Sequence, residues 1–142
     1  MKLIEFLIPG APVAKGRPRF RIVGRHVVTY TPKQTKEAER AALDAFEDKY
    51  PEFKTPLEGP IRLTVKFLMP VPMSLSKRKK LALYGRPHTK KPDTDNLVKA
   101  ICDALNGRVF KDDSQIFSIH CEKFYTDNDP YTHVVIEEEK KA

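Results

Sequence analysis

The sequence predicts an α/β fold of the α+β kind: a single compact domain over residues 1–142, with a mixed β-sheet flanked by two main helices. Three observations carry this expectation. Ile61, Leu63, Val65 and Phe67 alternate with Arg62, Thr64 and Lys66, the period of a half-buried strand. Ala38, Ala41, Ala42, Ala45 and Phe46 fall at helical spacing, and so do Leu97, Ile101 and Leu105. The segments follow the order β, ββ, α, β, α, ββ, with no internal repeat and no low-complexity linker between them. At 142 residues and 40% apolar, the chain is long enough to bury one core without disulfide or metal staples.

Taken in order, Lys2 to Ile8 alternates loosely and reads as the first strand, ended by Pro9-Gly10-Ala11-Pro12. A basic loop, Lys15-Gly16-Arg17-Pro18-Arg19, leads into two strand-like runs, Phe20 to Val23 and His26 to Tyr30, with Gly24-Arg25 as a hairpin turn. Thr31 is placed to cap the first helix, with Pro32 at its first position, and the helix should run to about Tyr50. Pro51 to Pro60 is a loop, residues 61–67 are the central strand, and Pro70 and Pro72 stop it. A short basic helix fits within Ser74 to Gly85. Residues 94–106 form the second strong helix, closed by Gly107. Gln115 to Tyr125 and Tyr131 to Glu137 read as two antiparallel strands around the turn Asp127-Asn128-Asp129-Pro130. Residues 138–142 are expected to fray.

Charge is distributed unevenly. The formal net charge is +7, but residues 1–36 carry eight Lys or Arg against Glu5 alone, and residues 74–91 carry seven against no acid. Residues 92–142 are the reverse, with six bases and eleven acids. Two basic blocks of this kind are local surfaces suited to a polyanion, although a solvated face is an equally common reason for such a block. The two cysteines, Cys102 and Cys121, make neither a disulfide framework nor a zinc site, and both sit in apolar patterns as reduced core residues. The apolar start of the chain is short and interrupted by Glu5, and no run approaches the ~20 residues a bilayer needs. A soluble, cytoplasmic protein is expected.

The chemistry is concentrated where the second helix begins. Asp93 and Asp95 stand two apart, and Lys99 and Asp103 follow Asp95 at successive steps of four, on the face turned away from Leu97, Ile101 and Leu105. Asp112-Asp113 sits on a short hairpin-like connection that can return toward the helix start. The simplest account is structural: Asp95 or Thr94 caps the helix, the helix dipole favours Asp93, and Asp95, Lys99 and Asp103 form an i,i+4 ion-pair ladder. Crowded carboxylates repel, however, and usually have a cation between them. The block just before them, Arg86-Pro87-His88-Thr89-Lys90-Lys91, is as basic as the cluster is acidic. Magnesium prefers oxygen ligands and keeps waters of its own, so two or three aspartates from separate segments suit it. A magnesium ion bound beside a phosphate acidifies water and neutralises charge, and a neighbouring lysine adds a fixed positive charge. His26, His88, His120 and His133 are scattered. His120 and His133 suit strand or surface roles, and His88 is placed to touch DNA. No Ser-His-Asp or Cys-His arrangement and no Gly-rich phosphate loop is present.

The segment Lys91-Pro92-Asp93-Thr94-Asp95-Asn96-Leu97-Val98-Lys99, then Asp103-Ala104-Leu105-Asn106-Gly107, then Phe110-Lys111-Asp112-Asp113-Ser114-Gln115-Ile116, resembles the signature of the RusA-type Holliday junction resolvases. Pro9-Gly10-Ala11-Pro12 and Lys15-Gly16-Arg17-Pro18-Arg19 also look like that family's N-terminal pattern. The resemblance spans residue 3 to about 120. It implies a homodimeric, magnesium-dependent endodeoxyribonuclease that nicks four-way DNA junctions in symmetric pairs during recombination and repair. One or two Mg2+ per subunit are implied, with Mn2+ as a possible substitute and no organic cofactor. Carried over by position, Asp93, Asp95 and Asp113 match the catalytic metal-binding acids, and Lys99 the catalytic lysine. Asp112, Asp103 and Asn96 adjoin these residues and are expected to support them. Lys15, Arg17, Arg19, Arg21, Lys77, Arg78, Lys79, Lys80, Arg86, His88, Lys90 and Lys91 are the expected DNA contacts. Two other readings stay open: a magnesium nuclease indifferent to DNA structure, and a non-catalytic basic DNA-binding module.

Overall fold

The computed structural model describes residues 2–16, 19–30, 32–127 and 129–140. Its strands are Lys2–Pro9 (β1), Arg19–Val23 (β2), His26–Tyr30 (β3), Ile61–Met69 (β4), Ile116–Tyr125 (β5) and Tyr131–Glu138 (β6). Its helices are Lys33–Lys49 (α1), Lys77–Leu83 (α2) and Thr94–Leu105 (α3), with a single 3₁₀ turn over Asp113–Gln115. The expected α+β class with a mixed sheet is what the chain adopts.

Four strands form the main sheet in the order β1-β6-β4-β5, and β2 with β3 makes a separate two-stranded ribbon. β6 is antiparallel to both β1 and β4, whereas β5 runs parallel to β4. This corrects the expected pairing of the last two strands across residues 127–130. β4 lies between them, so β5 and β6 share no hydrogen bonds. A parallel β4–β5 pair needs a long crossover, and the chain spends residues 70–115 on it. That crossover carries α2, α3 and the 3₁₀ turn, and hence every expected catalytic residue.

One face of the sheet presents Ile4, Phe6, Ile8, Ile61, Leu63, Val65, Phe67, Met69, Val134 and Ile136, all buried, and α1 and α3 cover it. Phe46 of α1 is the centre of an aromatic cluster, with ring centroids 5.6 Å from Phe6, 5.5 Å from Tyr50 and 5.1 Å from Phe53. From α3, Leu97, Ile101 and Leu105 point into the same core, as their spacing requires. Because α3 is pinned along that face, its opposite side is held in a fixed position at the β5 edge of the sheet.

Three local expectations need correcting. Helix α1 starts at Lys33 with Pro32 as its cap residue, one step later than expected, and Thr31 lies outside the described residues. Helix α3 is capped by Asp93, not by Thr94 or Asp95, and no side-chain cap bond is made there. The expected fraying does not begin at residue 138, which closes β6, and residues 141 and 142 lie outside the described residues. The Glu138 carboxylate accepts the Glu58 and Gly59 backbone N–H groups at 3.1 and 2.9 Å, and Glu139 pairs with Arg62 at 3.1 Å. Among the described residues, no helix is long and apolar enough to cross a membrane.

Candidate active site

The exposed side of α3, the 3₁₀ turn and the edge strand β5 enclose an open cavity of about 540 Å³. Asp95, Lys99, Asp103 and Asp113 line it, over an apolar floor that includes Val98, Cys102, Ile116, Ile119 and Cys121. Two segments of the crossover and the edge strand thus meet at one concave surface.

Helix periodicity puts the α3 residues there. Asp95, Lys99 and Asp103 are one turn apart on the face opposite Leu97, Ile101 and Leu105. The expected ion-pair ladder does not form. Asp103 is taken by Lys15, whose Nζ stands 2.9 Å from Asp103 Oδ2 and 3.3 Å from Glu39 Oε1. Among the described residues neither Asp95 nor Lys99 makes an ion pair. Their charges are left to the cavity. Since Asp93 occupies the cap position, without a side-chain capping bond, the first-turn Asp95 carboxylate is not consumed by capping either.

Asp113 is placed by a tight local network. Asp112 accepts the Ser114 N–H at 3.0 Å, and its own N–H donates to Gln115 Oε1 at 2.7 Å, a reciprocal capping box. The Gln115 amide donates 2.9 Å bonds to the carbonyls of Leu57 and Gly59. The Asp113 N–H donates to Asn106 Oδ1 at 3.0 Å, which ties the turn to the end of α3. Asn106 and Gln115 therefore aim Asp113, and neither is among the residues expected to act. The Asp-Asp-x-Gln spacing was the available signal for Gln115, because N-cap and N3 residues reciprocate only at that separation. Hydrogen bonds from Ser114 hold the Asp112 carboxyl below the usual range. Asp112 is a turn-building residue.

Asp93 stands apart from this group. It does not line the cavity, and Lys91 Nζ contacts its Oδ2 at 3.0 Å. The segment before it is held by Lys123, whose ammonium donates to the carbonyls of Lys90 at 2.6 Å and Pro92 at 2.7 Å. Sequence inspection gave no reason to single out Lys123, since it lies on β5, far from the residues it fastens. Asn96 is exposed, and its carbonyl accepts the Lys15 backbone N–H at 3.2 Å.

The donor set suits a hard cation. Asp95 and Asp113 present carboxylate oxygens from separate segments to a solvent-open cavity, with Asp93 two residues from Asp95. Among the described residues, no three His, Cys, Asp or Glu side chains are gathered as a metal site. Both thiols in the floor are free and pushed up to about 11, Cys102 by burial and then by the Asp113 and Asp103 charges, Cys121 chiefly by burial. Neither is a nucleophile at neutral pH.

The expected DNA contacts divide by location. Arg19 and Arg21 lie on the exposed β2–β3 ribbon, Lys77, Arg78, Lys79 and Lys80 on α2, and Arg86, Lys90 and Lys91 on the exposed segment before α3. Lys15 is engaged with Asp103 and Glu39, and Arg17 lies outside the described residues. His88 is half-buried against Tyr125, with ring centroids 4.6 Å apart and a buried Nδ1 without a hydrogen-bond partner. Burial, and then the Lys123 charge, push its pKa down and so favour the neutral ring.

A family model described as endodeoxyribonuclease RusA matches residues 9–137. The chain is also 39% identical over 143 residues to the uncharacterized protein YqaN of Bacillus subtilis (strain 168), covering 97% of this chain and 98% of that protein.

Proposed function

Because this chain belongs to the RusA endodeoxyribonuclease family, nucleases that act on DNA, we propose that it is a magnesium-dependent resolvase of four-way DNA junctions, acting as a homodimer. The observation that carries this reading is the convergence of Asp95, Asp113 and Lys99 on one open cavity from two segments of the crossover.

In this reading Asp95 and Asp113 would hold magnesium, with Asp93 as a third ligand once released from Lys91. Magnesium held there would supply an acidified water molecule and charge neutralisation at the phosphate. Lys99, with no acid partner among the described residues, sets its ammonium against a phosphate oxygen and stabilises charge as the bond to phosphorus forms. Water adds to phosphorus in line as the P–O3′ bond breaks, and the 3′ oxygen takes up a proton. The products are a 5′-phosphate and a 3′-hydroxyl, ends ready for ligation. Asn106 and Gln115 keep Asp113 aimed at the cavity. The lysines and arginines of α2 and of residues 86–91 neutralise backbone phosphates, so binding weakens steeply with salt. A junction has near two-fold symmetry and needs two nicks, which a two-fold dimer supplies.

The test is incubation with a synthetic four-way junction and magnesium, with nicks mapped on all four strands. Paired nicks at symmetric positions, absent from linear duplex, are the expected result. Equal cutting of duplex would replace this reading with that of a nuclease indifferent to structure. No cutting of either would overturn it.

A further inference from the structure

The β2–β3 ribbon stands away from the body. It joins no other strand, and every side chain described on it is exposed. Its two-residue turn is Gly24-Arg25, with Gly24 at φ +62°, so the strands are in tight register. Opposed residues share a face. Phe20 faces Thr29 and Ile22 faces Val27, which makes one face apolar, with Phe20 69%, Ile22 78% and Val27 68% exposed. Arg19, Arg21 and His26 occupy the other face together with Val23 and Val28, and residues 19–30 contain no acid. An isolated two-stranded ribbon is marginal in water, so an apolar face of this size needs a cover.

The base of the ribbon is fastened to the candidate site. The Lys15 N–H donates to the carbonyl of Asn96, next to Asp95, and its ammonium holds Asp103 in the cavity wall. The Gly16 N–H donates to the buried Thr35 hydroxyl at 3.0 Å. Arg19 follows Lys15 by four residues, at most about 14 Å of chain. The ribbon extends about 17 Å beyond that. A basic, acid-free element rooted beside a phosphodiester-cutting site is complementary to a polyanion, and DNA offers its broadest apolar surface, the base faces, where its bases are unstacked.

From these features the geometry points to the β2–β3 ribbon as a DNA-wedging arm: Phe20, with Ile22 and Val27, enters the open centre of a branched DNA and stacks against its unpaired bases, while Arg19, Arg21 and Arg25 hold the flanking phosphates. The inference rests on the proposed function and adds to it the element that selects branched over linear DNA. Wedging apolar side chains between bases and stacking rings on them is sequence-tolerant, as a junction enzyme requires.

The test uses the full chain and a four-way junction carrying 2-aminopurine beside the branch point, without divalent metal so that nothing is cut. The wild type should raise the fluorescence several-fold. The double variant Phe20→Ser, Ile22→Ser should leave it flat and bind the junction about tenfold more weakly, with linear-duplex binding unchanged. Phe20→Trp, which keeps a ring, should restore the signal. Fluorescence in the double variant equal to wild type overturns the inference. So does a lower melting temperature or a changed oligomeric state in that variant, because the face would then be packed against protein. A wild type that cuts junctions in magnesium yet leaves the fluorescence flat removes the wedge and spares the proposed function. A wild type that neither binds nor cuts DNA removes both.

Discussion

Lys15 reaches from the N-terminal loop to Asp103 on α3, with Nζ 2.9 Å from Oδ2, and by doing so it breaks up an ion-pair ladder that helical spacing alone would assemble. Asp103 would otherwise face Lys99 one turn away. With Asp103 occupied, Lys99 keeps its charge for whatever enters the cavity, and the loop that leads to the ribbon is fixed to the helix that carries Asp95.

Lys99→Met should therefore lower the rate of junction cutting by about 100-fold or more, the scale of losing one fixed donor to a developing charge. Junction affinity should change by less than about threefold, because one cation among many phosphate contacts is lost. The melting temperature should not fall, since Lys99 makes no ion pair among the described residues. A variant that cuts at the wild-type rate removes the lysine from the chemistry.

The same pair has a pH signature. The Asp103 hydrogen bond, aided by Glu39 and opposed by burial, raises the Lys15 pKa above its ordinary 10.5. A raised folded-state pKa contributes stability that is fully present below 10.5 and disappears as the pH climbs through the folded value. Urea melts of the wild type should thus lose stability above about pH 10.5 more steeply than melts of Lys15→Met. The difference should be no more than about 1 kcal/mol, because both side chains are partly open to solvent. Equal slopes would mean that the pair does not persist in solution.

Gln115→Leu should be costly for a neutral residue. It removes the donor for the Leu57 and Gly59 carbonyls and the acceptor for the Asp112 N–H, at a cost of about 1–3 kcal/mol in denaturant unfolding. Because the 3₁₀ turn then loosens, the magnesium concentration for half-maximal cutting should rise about 10- to 100-fold, as it does when a group that orients a ligand is lost. Asp112 adds an acid-side effect. Its lowered pKa contributes stability above 3.8 that is lost as the pH falls through the folded value, and Asp112→Asn should abolish that dependence. An unchanged magnesium requirement in Gln115→Leu would show that the turn holds Asp113 without it.

The strands, the helices and the cluster around Asp95 were legible in the sequence because each rests on a local period or a short spacing. The partner of β5 was not. A strand of Ile116–Tyr125 composition, followed by Asp-Asn-Asp-Pro, looks the same whether the next strand lies beside it or one place further away. What decides is that Thr132, Val134 and Ile136 are buried by neighbours on both edges of β6, a fact of the whole sheet. The fate of Asp103 was hidden for a related reason. Its i−4 neighbour Lys99 is visible in any helical reading, whereas Lys15 comes near only once the N-terminal loop has docked. Asp112 and Asp113 are adjacent and equally acidic, yet one builds the turn and the other lines the cavity, and the capping box is what separates them.

Magnesium should stabilise the folded chain, and the identity of the third acid can be read from the same melt. Asp95 and Asp113 share a cavity, and like charges there oppose one another until a cation is shared. An ion bound to the folded state at about 100 times its dissociation constant contributes about 2.7 kcal/mol, or a rise of about 5–10 °C in a domain of this length. Asp95→Asn and Asp113→Asn should each abolish the rise, while the metal-free variants melt no lower than wild type because repulsion has been relieved. Asp93 is held by Lys91, so Asp93→Asn should reduce the rise only in proportion to its share of the ligation. Lys91→Ala releases the Asp93 carboxylate. If Asp93 is a ligand, that variant should bind magnesium more tightly than wild type while losing affinity for DNA. A Lys91→Ala protein with unchanged magnesium affinity would confine the metal to Asp95 and Asp113 and leave Asp93 as the residue that ends the loop and begins α3.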